Sequence, residues 1–285
     1  LIIGLGTTGL SCARYLAARN EAFFVADSRL KPPNLDDFQS QFPHVDIQLG
    51  GFQESAFLSA SRIIVSPGVS LKTPELIKAR AAGIPISGDI DLFSREVTSP
   101  VVAVTGSNGK STVVEMLAAI LDAAGNKYGL GGNLDSASAK PALDLLLEQP
   151  KDLYVLELSS FQLETTEALN AEVAVLLNVS MDHMDRYDDM DEYLVAKQRI
   201  FRGCKKVVIN RSEPSSAPQN LDALPWMPES CAYRVLHEGG ELPHWHPLVC
   251  GDRNGPARAG ISVAGRVFPE ESIALTDLID HITQW

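Results

Sequence analysis

Short apolar runs alternate with amphipathic stretches along most of the chain. Residues 1–5, 23–27, 45–49, 63–65 and 84–87 are apolar runs bounded by Gly, Pro, Asn or Asp, and they read as buried strands. Between them, apolar positions recur at helical spacing, as at Leu10, Ala13, Leu16 and Ala17, and again over 75–82 and 89–95. The alternation restarts at residue 101. Strands are predicted over 101–104, 127–130, 153–158, 173–179 and 205–209, with helices after the first of these, over 142–147 and over 191–201. Strands alternating with helices predict parallel sheets. The break at 97–100 divides the chain into 1–97 and 98–285. Beyond 210 the pattern fades. Residues 212–241 are Pro- and Ser-rich, His244-Trp245-His246 reads as a Pro-flanked loop, 261–267 as a strand and 272–282 as an amphipathic helix. No internal repeat is visible.

Two glycine turns sit between a strand and a helix. The first, Gly4-Leu5-Gly6-Thr7-Thr8-Gly9, follows the opening strand, and Asp27 closes the next one. A β-α-β unit with this spacing predicts a Rossmann-like domain with a nucleotide or nucleotide-sugar on the turn. A turn used only for close helix packing is the plainer alternative. Ser66 and Gly68, in a Pro-Gly turn at the end of another strand, are further candidate contacts, or simply turn residues.

The second turn runs Gly106-Ser107-Asn108-Gly109-Lys110-Ser111-Thr112. Backbone N–H groups at a helix N-terminus face an anion there. Lys110 can reach the outer phosphates of a nucleotide, and Ser111 or Thr112 can ligate Mg²⁺. Val104 stands where the full Walker pattern has its first glycine, so the loop is a shortened form. A phosphate loop following the first turn argues against dinucleotide-dependent hydride transfer.

The strands after this loop end in polar residues. Glu157 lies inside an apolar strand, where a carboxylate is costly unless paired or bound to a cation. It is a candidate Mg²⁺ ligand or a member of a buried salt bridge. Asn133 follows Gly131-Gly132, which is also ordinary turn chemistry. His183, in the charged cluster 182–186, is a candidate catalytic residue. On the helix over 191–201, Lys197 shares the apolar face of Tyr193, Leu194, Ile200 and Phe201. Burial lowers a lysine's pKa and frees a nucleophilic amine, which can take up CO₂ as a carbamate. Snorkelling along its stem is the alternative.

Composition narrows the partners. Hydrophobic residues make up 45% and charged residues 21%, which fits a globular chain, and the net charge of −12 argues against nucleic-acid or anionic-membrane partners. Cys12, Cys204, Cys231 and Cys250 form no C-x-x-C pair and read as reduced thiols of a cytoplasmic protein. No apolar run approaches the length of a membrane span. The chain opens inside a strand, so the absence of a signal peptide carries little weight.

Taken together, the motifs resemble the Mur ligases of peptidoglycan synthesis. They are GLGTTG at 4–9, DSR at 27–29, SPG at 66–68, GDIDLF at 88–93, TGSNGKST at 105–112 and GGN at 131–133. LELSSFQLE at 156–164, NVSMDHMDRY at 178–187 and AKQRIF at 196–201 complete the set. The resemblance implies an ATP-dependent amide ligase that adds D-glutamate to UDP-N-acetylmuramoyl-L-alanine through an acyl phosphate. A ligase for another amino acid and a non-catalytic UDP-sugar-binding remnant are the alternatives. It implies that Thr8, Asp27, Ser28, Arg29, Ser66 and Gly68 contact uridine diphosphate, and that Asn133 and His183 reach the substrate. It implies one Mg²⁺ on Ser111 or Thr112 with Glu157, and a second on His183 with carbamylated Lys197, with Mn²⁺ as a substitute. A monomer is expected. The resemblance ends near 210, and the family's third domain, which binds D-glutamate, is not recognisable. The chain alone is therefore expected to bind the UDP-sugar but to ligate poorly.

Overall fold

A computed structural model describes residues 1–167, 169–210, 213–218, 233–236, 261–263 and 266–268. The order begins β1 (Ile2–Ile3), α1 (Thr7–Ala18), β2 (Val25–Asp27), α2 (Leu35–Gln41), β3 (Ile47–Leu49), α3 (Glu54–Ser59) and β4 (Ile63–Val65). It continues α4 (Pro74–Ala81), β5 (Ile86–Ser87), α5 (Asp89–Glu96), β6 (Val101–Thr105), α6 (Lys110–Ala124), β7 (Tyr128–Gly132) and α7 (Ala142–Leu145). Then come β8 (Leu153–Glu157), α8 (Ser160–Glu164), β9 (Val173–Leu176), α9 (Met190–Gln198) and β10 (Lys206–Asn210). Three short strands follow: β11 (Tyr233–Leu236), β12 (Ile261–Val263) and β13 (Arg266–Phe268).

The chain forms two compact units. The first comprises Leu1–Thr98 together with Lys140–Pro150 and Ser160–Glu167. Its sheet has the order β3-β2-β1-β4-β5, and every neighbouring pair is parallel. Ile3, Ala26, Ile63 and Val65 build its core with Phe57, Leu76 and Ala79 from the helices. The later segments are held by polar contacts. Ser11 Oγ and Arg14 Nη1 each donate to the Asp144 carboxylate, at 2.8 and 2.9 Å. Gln162 Nε2 donates to Asp89 Oδ2 at 3.1 Å, and the Glu167 N–H to Asp91 Oδ1 at 3.1 Å.

The second unit holds a parallel sheet of order β11-β10-β9-β6-β8-β7. Its central strands are buried on both faces, as crossover-connected parallel strands must be. Val102, Val104, Val155 and Val175 pack against Val114, Leu117 and Leu121 of α6. The helix α6 starts at the phosphate loop and stops at Gly125, whose φ of 76° gives the left-handed C-cap.

Most predicted elements are present, with ends moved by a few residues. The run 173–179 yields a strand only to Leu176, because the chain there turns to bond with the phosphate loop. The predicted strand over 261–267 is an antiparallel pair, β12 with β13. Three helices, α2, α3 and α8, escape the pattern. Each is short, and α2 and α3 bury a single large apolar residue, Phe38 and Phe57. The predicted helix over 272–282, His244-Trp245-His246, Cys231 and Cys250 lie outside the described residues. Cys12 and Cys204 are buried thiols. Among the described residues, no helix is long and apolar enough to cross a membrane.

Candidate active site

In the second unit the chemistry collects at the carboxyl ends of β6, β8 and β9. Gly109, with φ 79°, bends the chain out of β6 so that α6 begins at Lys110. The first helical bond runs from the Val113 N–H to the Gly109 carbonyl. That leaves the N–H groups of the first turn without helical acceptors and directed outward, the usual seat of an anion. Lys110 Nζ folds back onto the Gly106 and Ser107 carbonyls at 3.0 and 3.1 Å. Ser111 and Thr112 are exposed.

The register places Glu157 of β8 opposite Val104 of β6 and Gly132 of β7. Its side chain is only 2% exposed. Ser111 Oγ donates to Glu157 Oε2 at 2.7 Å, and Asn133 Nδ2 to Oε1 at 3.2 Å. Gly132 makes this possible. Its φ is 89°, and a Cβ there would lie 2.1 Å from the Glu157 carbonyl oxygen. No salt bridge compensates the carboxylate among the described residues. Glu157 and the Ser111 hydroxyl supply hard oxygen donors beside an anion seat, and that donor set fits Mg²⁺.

Lys197 of α9 is fully enclosed at 2% exposure. Its Nζ donates to the Gly106 carbonyl at 2.8 Å and lies 4.7 Å from the centre of the Tyr193 ring. Burial above all, and then the Lys110 charge, lower its pKa to about 7, against the opposing pull of Asp182 and Glu157. The neutral amine is therefore well populated near neutrality. His183 is exposed, with φ 56° and its Nε2 3.4 Å from Asp182 Oδ2. Its ring centre lies 6.2 Å from that of Tyr193. Lys197 and His183 thus flank one tyrosine ring. Among the described residues, no group of three or more His, Cys, Asp or Glu side chains surrounds a metal position.

The first unit presents a different kind of turn. Gly9 is pressed against Gly4, and a Cβ on Gly9 would fall 1.9 Å from the Gly4 carbonyl oxygen. That same oxygen accepts from Ser66 Oγ at 2.9 Å. Asp27, 2% exposed at the end of β2, accepts from the Leu5 N–H at 2.7 Å and from Arg29 through its N–H, Nε and Nη2. Burial pushes its carboxyl pKa up, but the Arg29 guanidinium and the Leu5 and Arg29 N–H groups outweigh this and hold it low. Ser28, Arg29 and Gly68 are exposed and Thr8 is half-buried. Asp27, Arg29, Gly4, Gly9 and Ser66 are therefore bonded or packed into one cluster, whereas Thr8, Ser28 and Gly68 are brought to it only by sequence proximity.

Three residues that complete the second site carry no assigned chemistry in the sequence. Asn178 and Ser180 follow β9 and bond to Ser107 and Asn108. The available signal was an asparagine at the carboxyl end of an apolar central strand. Tyr193, readable only as part of an apolar helical face, places its hydroxyl 2.9 Å from Ser107 Oγ.

Comparison with known proteins gives consistent results. The family profile "Mur ligase MurD-like, N-terminal domain" matches residues 1–88, and "Mur ligase middle domain" matches residues 104–223. A UDP-N-acetylmuramoylalanine--D-glutamate ligase of Pseudomonas aeruginosa is 48% identical over 247 residues, covering 85% of this chain and 54% of that protein. The protein of the same name from Marinobacter nauticus is 51% identical over 224 residues, covering 79% and 49%. The chain thus spans about half the length of the curated relatives it matches. A UDP-N-acetylmuramate:L-alanyl-gamma-D-glutamyl-meso-diaminopimelate ligase from Neisseria meningitides shares the fold. Its TM-score is 0.53 at 20% identity, over 82% of this chain and 76% of that one.

Proposed function

The chain belongs to the Mur ligase family, and on that premise we propose that it serves an ATP-dependent amide ligase of peptidoglycan synthesis. The reaction joins D-glutamate to UDP-N-acetylmuramoyl-L-alanine. The observation that carries this reading is the Ser111–Glu157–Asn133 cluster, held at the ends of adjacent strands beside a phosphate loop. The names of relatives 48% and 51% identical support the choice of substrate and amino acid.

In this reading the first-turn N–H groups and Lys110 hold the ATP phosphates. Lys110 exchanges its bonds to Gly106 and Ser107 for the γ-phosphoryl group, offsetting charge in the transition state. Ser111 or Thr112 and Glu157 would hold one Mg²⁺, and His183 with Lys197 as a carbamate a second; Mn²⁺ is an acceptable substitute. Bound there, the ions neutralise phosphate charge. The carbamate forms when the neutral Lys197 amine attacks CO₂ and loses one proton to solvent.

An oxygen of the alanyl carboxylate attacks the γ-phosphorus, and the bond to ADP breaks. The D-glutamate nitrogen then attacks the acyl carbon. The tetrahedral intermediate collapses with loss of inorganic phosphate and of the amine's proton. Asn133 and His183 orient the carboxylate. Thr8, Asp27, Ser28, Arg29, Ser66 and Gly68 form the uridine-diphosphate seat. We further assign the protein to the cytoplasm and to a monomeric state.

Calorimetric titration of the chain with UDP-N-acetylmuramoyl-L-alanine, ATP·Mg²⁺ and NAD(H) tests the proposal. Binding of the first two without the third is expected. NAD(H) binding, or no binding of the UDP-sugar, would overturn it. Labelling with ¹³C-bicarbonate should give a carbamate signal that disappears in Lys197→Ala.

A further inference from the structure

We infer that Asn178 is a positioning residue, whose side-chain amide locks the phosphate loop into its nucleotide-receiving shape. The inference rests on the ATP-binding reading above and adds a residue to it. Asn178 Oδ1 accepts from the Asn108 N–H at 2.9 Å, while Asn178 Nδ2 donates to the Asn108 carbonyl at 3.1 Å. One side chain thus satisfies both backbone groups of one loop residue. The backbone joins in, with the Ser107 N–H donating to the Asn178 carbonyl at 3.0 Å. Two residues on, the Ser180 N–H donates to Ser107 Oγ at 3.0 Å and the Ser107 hydroxyl donates to the Ser180 carbonyl at 3.1 Å. The segment after β9 is therefore tied to the loop by one backbone bond and four bonds through the Asn178 and Ser107 side chains.

This pairing divides the loop's donors. The N–H groups of Ser107 and Asn108 are spent on Asn178, so those of the first helical turn are the ones left for phosphate. Few side chains can do this. The position needs one acceptor and one donor, side by side, at the reach of a single methylene. Aspartate keeps the acceptor but sets a carboxylate oxygen against the Asn108 carbonyl. Alanine supplies neither. A protonated aspartic acid again offers C=O and O–H in the asparagine arrangement, and the facing carbonyl favours that neutral form.

The test measures ATP·Mg²⁺ and UDP-N-acetylmuramoyl-L-alanine affinity of the full 285-residue chain at pH 8 and pH 5. The unchanged chain, Asn178→Asp and Asn178→Ala are compared at each pH. At pH 8, Asn178→Asp should bind ATP roughly tenfold or more weakly than the unchanged chain, the loss expected for two hydrogen bonds. At pH 5 that gap should narrow as the aspartate takes up a proton, whereas Asn178→Ala stays weak at both. UDP-sugar affinity should be the same in all three. Equal ATP affinity of Asn178→Asp and the unchanged chain at pH 8 would overturn the inference alone. So would parallel behaviour of the two variants across pH, or loss of UDP-sugar binding in both, which would mark a role in the fold at large. If the unchanged chain binds no ATP, the ligase reading falls as well.

Discussion

The two glycine turns have the same plan and opposite chemistry. Both lead from a parallel strand into a helix. At the first, glycine serves contact: Gly9 lies against the Gly4 carbonyl, and the nearby acid, Asp27, is already neutralised by Arg29 and the Leu5 N–H. At the second, glycine serves conformation: Gly109 takes a left-handed φ, and near it stand two lysines and an acid, Glu157, which forms no salt bridge among the described residues. The first is closed and internally compensated, which suits the proposed seat of a ligand that stays intact. Among the described residues the second holds its charges in no salt bridge, which suits the proposed site for a metal and a triphosphate. The glycine pattern alone does not separate these cases. The residues one strand away do.

The largest effect that would sharpen this contrast comes from Gly9→Ala. Its Cβ would collide with backbone, at a cost of about 3 kcal/mol or more. UDP-sugar binding should be lost while ATP binding survives; loss of both by calorimetry would mean that the turns are not separable. Next is Lys110→Ala, which should weaken ATP binding about a hundredfold and leave UDP-sugar affinity unchanged.

A smaller effect concerns Asp89, buried in the first unit, with Oδ1 lacking a hydrogen-bond partner among the described residues and Gln162 on Oδ2. Burial raises its pKa from 3.8 to about 6, against the pull of Gln162 and nearby N–H groups, and Cys12 faces it. A raised carboxyl pKa means that the folded state holds the proton more tightly. Stability should therefore fall as pH rises from about 4 to about 6, by about 3 kcal/mol, and stay flat above. Asp89→Asn should remove the slope in urea unfolding; an unchanged slope would disprove it.

The smallest effect is expected at Asp27. Its lowered pKa contributes stability above the ordinary carboxylate range that is lost only as pH falls through the lower folded value. UDP-sugar affinity measured between pH 8 and pH 5 should accordingly change little on account of Asp27.

Much of this was legible in the sequence, for identifiable reasons. The strands ending at Thr105 and Glu157 announce themselves because parallel strands buried on both faces must be continuously apolar, which makes Glu157 conspicuous. Lys197 was legible because helical period places it among Tyr193, Leu194, Ile200 and Phe201, all buried. Asn178 was not. Its role depends on pairing with a loop 70 residues away, and an asparagine after a strand is ordinary turn chemistry. The helices α2 and α3 were illegible because a helix that buries one phenylalanine has no periodicity to read.

The division of the chain into two units carries a practical meaning for anyone dissecting it. The first unit takes in 140–150 and 160–167, so its folding information is written in three separate stretches. A fragment ending at residue 98 would be an amputation. Ser11 and Arg14 would lose Asp144, Asp89 would lose Gln162, and Asp91 would lose the Glu167 backbone. The polypeptide is stitched, not strung: the thread that makes Asn133 and Glu157 in one unit passes, a few residues later, into the fabric of the other.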